Sequence, residues 1–267
     1  MTSHSAMPAT IMKQFMKIFC ALLFAANFFG SAVGKSSAAS PEESTTASEK
    51  AKNNEPPQKR TTQQGGQNHL ATRPDSEEGF VSMFNGKDLT GWAGSDFAVE
   101  DGILVCHGHH GGGLSYTKSE FTNFVMRFEV KLSPGANNGF NFRTDGAVWN
   151  EIQILDDVHP TFTNIHPYQA HGSIYGVVPA KRGFLKPAGE WNYEEVMADG
   201  SHIRVRLNGE EILDVELSKL DLDKCLDGTA HPGLRRTSGG IGWLGHLNGY
   251  EKEGAVYFRN IRIKSLP

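Results

Sequence analysis

The chain has 267 residues, of which 38% are hydrophobic and 10% aromatic, enough for one large core or two small ones, so wholesale disorder is excluded. Its formal net charge is −4, from 26 basic and 30 acidic side chains, which leaves no electrostatic footprint for nucleic acid. Glycine occurs 30 times against 12 prolines without a collagen period, pointing to many tight turns, and three cysteines are too few for a disulfide scaffold.

At the N-terminus, Lys13 and Lys17 precede an apolar run from Ile18 to Ala26 that continues past Asn27 to Phe29. Ala32-Val33-Gly34 then supplies a small-x-small exit, so residues 1–34 read as a secretory signal peptide. The run is shorter than the roughly 20 residues of a membrane span. The expected destination is therefore the periplasm or the extracellular space, with membrane attachment only if the signal stays uncleaved. Cys20 follows Phe19, a poor lipoprotein site because the preceding residue should be small. Residues 35–78 change to Ser, Thr, Glu, Lys, Gln and Pro with no aromatic side chain, so no apolar burial offsets the entropy of ordering. They are expected to form a disordered polar linker to a single domain over residues 79–267.

In that domain the hydrophobic period is two. Phe124, Met126, Phe128, Val130 and Leu132 fall on one face and Arg127, Glu129 and Lys131 on the other, the alternation of a half-buried strand. His202–Leu207 repeats it, and Asn208-Gly209 marks a hairpin into Glu211–Val215. Asp101-Gly102 does the same between Phe97–Val99 and Ile103–Val105, and Val256–Ile263 reads as a closing strand. With no convincing amphipathic helix and ten or more short strands, the fold class is all-β, an antiparallel sandwich or jelly roll. Cys106 and Cys225 remain after signal removal, and a disulfide and two buried thiols are equally open readings.

The polar positions on these strands are the candidates for chemistry. In Glu151-Ile152-Gln153-Ile154-Leu155-Asp156, alternation sends Ile152 and Ile154 inward and sets Glu151 and Gln153 side by side on the other face. Asp156 has core-facing parity unless a bulge re-aims it. A solvated polar face explains the pattern as well, and Gln153 cannot ionise, so an ordinary two-carboxylate glycosidase is short of a partner. Asn141 and Arg143 share the polar face of Phe140–Arg143, where arginine could polarise a substrate oxygen or simply pair at the surface. Gly242, Leu244 and His246 share a face, and the imidazole suits proton transfer. His159, His166 and His171 accompany Asp156 and Asp157 in one loop, but the spacing matches no compact zinc pattern, and His107, His109 and His110 beside three glycines read as a turn.

Several segments together resemble the 3-keto-disaccharide hydrolase domain family: the stretch from Gly79 to Trp92, Val99–Gly102, Glu151–Asp156, Ser173–Gly176, Lys186–Asn192, Leu207–Gly209 and Phe258–Ile263, in family order. The chain departs from the pattern at Leu244, where the family often has Gln, and in extra residues between His246 and Val256. The resemblance implies a concanavalin A-like jelly-roll sandwich of two antiparallel sheets whose concave face binds sugar. It implies cleavage of glycosides already oxidised to a ketone at carbon 3, and it makes Glu151, Gln153, Asp156, Arg143, Tyr175, Trp191 and His246 the groove residues, beside Asn141.

A ketone at carbon 3 acidifies the hydrogen at carbon 2, so the aglycone can leave carbon 1 by elimination and water can add afterwards. Such a site needs a base, an enolate stabiliser and an acid for the leaving oxygen. The expected catalytic set is Glu151 and His246 as base and acid in either order, with Arg143 or a bound divalent cation as stabiliser. Trp191 or Tyr175 would stack on the sugar ring, and Gln153, Asp156 and Asn141 would bind its hydroxyls. No cofactor beyond that optional cation is implied, and the expected partner is a sugar or glycoside. A carbohydrate-binding module without chemistry would use the same groove, and a laminin-G-like adhesion domain is a third reading.

Overall fold

A computed structural model describes residues 76–108, 112–246 and 254–267. The signal-peptide reading over residues 1–34, nearly all of the linker reading, and His109 and His110 lie outside the described residues. Ser76 and Glu77, which composition assigns to the linker, already hold the domain: Arg262 donates to both Glu77 carboxylate oxygens (2.6 and 2.9 Å), and Arg127 Nη1 donates to Ser76 O at 2.7 Å.

The described residues form thirteen strands and four short 3-10 turns. In chain order the strands are β1 (Val81–Ser82), β2 (Trp92–Gly94), β3 (Phe97–Glu100), β4 (Ile103–Cys106), β5 (Gly113–Tyr116), β6 (Phe124–Leu132) and β7 (Asn137–Thr144). They continue as β8 (Glu151–Leu155), β9 (Trp191–Asp199), β10 (His202–Leu207), β11 (Glu210–Glu216), β12 (Gly240–Gly245) and β13 (Val256–Ser265). Eight make a large sheet, β11-β10-β9-β6-β13-β4-β3 with β1 also on β13, and five make a small one, β2-β5-β12-β7-β8. Every strand pair is antiparallel. The two sheets form the concanavalin A-like jelly-roll sandwich.

The two hairpins marked by sequence close as their residues require. Asn208 and Gly209 take φ of 54° and 95°, and Asp101 and Gly102 take 49° and 78°, the left-handed pair that an Asn-Gly or Asp-Gly turn accommodates. Between the sheets, the alternating side chains of β6, from Phe124 to Leu132, are all buried. Trp243 of the small sheet stacks on Phe258 of the large one at 4.1 Å between ring centres and receives the edge of Phe128 at 4.9 Å. Burying side chains of this size contributes about 1.5–3 kcal/mol each, and each aromatic pair adds about 0.5–1.5 kcal/mol. This core fixes the small sheet rigidly, and the outward side chains of β7, β8 and β12 inherit that rigidity.

β8 ends the small sheet, but its outer edge is not bare. Gly172 N donates to Gln153 O (2.8 Å), Gln153 N to Ser173 O (2.9 Å) and Tyr175 N to Glu151 O (3.0 Å). The segment from Gly172 to Tyr175 thus lies along β8 as an irregular extra strand, with Ile174 bridging Ile152 toward the core. Below it, buried His171 accepts Leu155 N–H on Nδ1 (3.1 Å), leaving its Nε2–H to face Glu194 Oε2 at 3.2 Å.

Candidate active site on the small sheet

Ile152 and Ile154 are wholly buried, so Glu151 and Gln153 point away from the core, as alternation requires. Across the ladder Glu151 pairs with Asn141 and Gln153 with Gly139. Gly139 matters because a Cβ there would overlap the Glu151 carboxylate; the bare backbone lets Glu151 lie across β7 toward β12. His246, immediately after β12, meets it there: Nε2 lies 2.9 Å from Glu151 Oε1. The Glu151 side chain is 12% exposed and that of His246 29%, so the pair is partly desolvated yet reachable.

Gln153, with its amide oriented to donate, reaches the same Glu151 Oε1 at 3.1 Å and Asn138 O at 3.0 Å. Glu151 Oε1 therefore carries two donors, while Oε2 has no hydrogen-bond partner among the described residues. A carboxylate held by one oxygen with the other unengaged is arranged to accept a proton from a bound molecule. Burial draws the His246 pKa down, but the charge and hydrogen bond of Glu151 outweigh it and the net shift is upward.

Tyr175 stands beside this pair on the edge segment, its hydroxyl accepting from Gln169 Nε2 at 2.8 Å. Burial raises its pKa, the Gln169 bond opposes that, and Glu151 raises it further. Tyr168 meets Tyr175 edge-on at 6.3 Å, and His166 stacks on Tyr168 at 5.1 Å with planes 6° apart, forming a ring-lined wall. Trp149, 43% exposed, precedes β8 with the parity of Glu151.

Three expected groove residues lie elsewhere. In β7 an extra residue opposite β12 forms a bulge, with Arg143 at φ 47°, and the guanidinium turns away from Glu151. It donates to Thr122 O through Nε (2.9 Å) and Nη2 (2.6 Å) and to Gly200 O through Nη1 (2.6 Å), a buried clamp on loop carbonyls. Asp156 keeps its core-facing parity because no bulge intervenes in β8; it is buried and accepts Gly135 N–H at 2.9 Å. Trp191 opens β9 on the outer face of the large sheet, since Asn192, Glu194, Val196 and Ala198 point inward. There the Arg259 guanidinium lies 4.0 Å from its ring centre, with both sheets between it and Glu151. Asn141 does share the face of Glu151, although its amide oxygen accepts Asn150 N–H at 2.9 Å.

The histidines of the 159–171 loop scatter: His159 caps a turn through Thr161 N–H, His166 stacks on Tyr168, and His171 faces Glu194. Among the described residues no three His, Cys, Asp or Glu side chains converge to hold a metal ion. Cys106 and Cys225 are both free thiols; burial pushes that of Cys106 up to about 11.

Sequence reasoning missed a second polar cluster. Asp227 Oδ2 lies 2.8 Å from His231 Nε2, and Thr229 Oγ1 lies 3.0 Å from each Asp227 carboxylate oxygen. Asp227 N donates to Gly176 O at 3.1 Å, which sets the cluster against the residue following Tyr175. The only local signal is the Asp227-Gly228 turn, which reads as punctuation.

A two-sheet jelly roll with a carboxylate–imidazole pair on its small sheet defines the class, and the comparisons define the family. Residues 79–264 match the model described as the 3-keto-alpha-glucoside-1,2-lyase-like domain, and the chain belongs to that family. It is 26% identical over 236 residues to a 3-keto-disaccharide hydrolase of Bacteroides thetaiotaomicron, covering 72% of this chain and 80% of that protein. A crystal structure of a candidate glycosyl hydrolase from Parabacteroides distasonis superposes with a TM-score of 0.60 at 31% identity, covering 70% of this chain and 99% of that one. A second from the same organism gives 0.59 at 24% identity, covering 71% and 95%. The family is thus one of glycoside-active proteins.

Proposed function

We propose that the protein cleaves 3-keto-glycosides by elimination followed by hydration, a net glycoside hydrolysis. The observation that carries this reading is the Glu151–His246 pair: one carboxylate, locked on one oxygen and unengaged on the other, with no second carboxylate paired to it across the strand. Such a site suits removal of an acidified carbon-bound proton better than a two-carboxylate displacement.

In the proposed reaction Glu151 Oε2 takes the proton from carbon 2. The carbon–hydrogen pair becomes the carbon 1–carbon 2 double bond conjugated with the ketone, and the aglycone leaves carbon 1. Water then adds at carbon 1, its second proton balancing the one taken up by the aglycone oxygen, and the proton on Glu151 returns to carbon 2. His246 holds the carboxylate in place and balances its charge, and Tyr175 and Tyr168 offer ring faces to the sugar. The N-terminal signal composition supports export, so the substrate would be met outside the cytoplasm.

The test is incubation of the purified protein with a 3-keto-glucoside and with its unoxidised parent. Aglycone release from the first alone is expected. Equal binding of both sugars with no release from either would instead favour a carbohydrate-binding module.

A further inference from the structure

Elimination needs a proton taken at carbon 2 and another delivered to the oxygen leaving carbon 1. Glu151 and His246 are hydrogen-bonded to each other and converge on one point, which suits the first task. A second carboxylate–imidazole pair, Asp227 and His231, is tied to β8 through the edge segment. Tyr175 donates its N–H to Glu151 O, and the next residue, Gly176, accepts Asp227 N–H. At Gly176 a Cβ would stand 2.8 Å from His231 Nε2 and overlap Asp227 Oδ2, so glycine is what admits the pair here. The two carboxylates flank Tyr175, and both raise the pKa of its phenol after burial has done so.

A loop staple would account for part of this cluster, because Asp227 Oδ1 also accepts Thr229 N–H at 2.9 Å. The staple takes in His231 Nε2, which also lies 3.2 Å from Thr229 Oγ1, but not the other ring nitrogen. The Asp227 and His231 side chains are 19% and 18% exposed, and His231 Nδ1 has no hydrogen-bond partner among the described residues. Burial raises the Asp227 pKa, but bonds from Thr229 and His231 overcome it and the net shift is downward.

We propose that His231, positioned by Asp227, is the general acid that protonates the departing aglycone oxygen while Glu151 takes the carbon-2 proton. The proposal rests on the keto-glycoside reading above. With Nε2–H held on Asp227, the imidazolium gives up its Nδ1 proton as the carbon 1–oxygen bond breaks and its electron pair goes to the oxygen. The products are the alcohol and the conjugated enone, with His231 neutral and Glu151 protonated. In the hydration half, His231 takes a proton from the water that bonds carbon 1 and Glu151 returns its proton to carbon 2, which restores both groups.

The test is leaving-group dependence, measured on the full chain with a 4-nitrophenyl and a methyl 3-keto-glucoside. Nitrophenolate departs without a proton, and methoxide does not. His231→Ala should lose about 10²–10⁴-fold in kcat on the methyl glycoside but less than about tenfold on the nitrophenyl one. His231→Gln, which can keep the bond to Asp227, should show the same split if the alanine variant folds poorly. Glu151→Gln should lose activity on both. Equal loss on both substrates in the His231 variants, or no loss on either, overturns the assignment of His231 while leaving the keto-glycoside reading intact. An inactive wild-type protein on both substrates overturns the reading itself, and this proposal with it.

Discussion

Glu151 lies across Gly139: a Cβ at that glycine would stand 2.7 Å from both Cδ and Cγ of the glutamate. The reach of the carboxylate toward His246 therefore depends on a missing methyl group one strand away. Ordinary extended backbone at position 139 would tolerate a side chain, so the constraint is steric and belongs to the site.

Gly139→Ala should leave the fold standing, because the obstructing atoms are the flexible end of a side chain and alanine is the better strand residue. The net stability change should be within about 1 kcal/mol by denaturant titration. Turnover of a 3-keto-glycoside should fall about 10²-fold, the scale of a misplaced catalytic group. Unchanged turnover would mean that the carboxylate position is immaterial.

Glu151→Gln keeps the size and much of the hydrogen bonding but removes the base. Aglycone release should fall about 10²–10⁴-fold with sugar affinity retained, read by pairing steady-state kinetics with calorimetric binding.

The upward-shifted His246 pKa carries a sign. A group whose folded pKa exceeds its unfolded value stabilises most when protonated, below the unfolded value of about 6.5, and that stabilisation is lost as pH rises through the raised folded value. The difference in Tm between wild type and His246→Gln should therefore be larger at pH 6 than at pH 9. A difference that grows with pH would contradict the ion pair.

Arg143 and Trp191 should behave as scaffold. Arg143→Met strands the carbonyls of Thr122 and Gly200 and should cost about 2–4 kcal/mol of stability, while the folded fraction keeps its KM. Trp191→Ala, on the far face of the sandwich, should leave sugar affinity unchanged.

Export is read directly by mass. Protein recovered outside the cytoplasm should begin near Lys35 and carry no lipid. A mass that retains Met1–Gly34 would contradict it.

The strands were legible because alternation is a local signal: β6 and the Asn208-Gly209 hairpin could be placed from a handful of neighbouring letters. So was the shared face of Glu151 and Gln153. What parity cannot reveal is a bulge or the choice of sheet. Arg143 has the parity of Glu151 and is turned aside by one extra residue in β7. Trp191 has an outward parity too, but of the other sheet. Nor can parity join Asp227 to Gly176, a contact between loops about 50 residues apart whose only logic is the absence of a side chain at Gly176.

The Gly172–Tyr175 segment bears on self-association. A strand at the rim of a sheet offers free amides and carbonyls to any passing chain, and β8 at that rim carries the carboxylate. By occupying Glu151 O, Gln153 N and Gln153 O, the segment gives the rim an intramolecular partner. The chain stretch that shapes one wall of the groove is thus the one that shields β8 from strand exchange with another copy, so loosening the loop to admit bulkier sugars would trade selectivity against solubility.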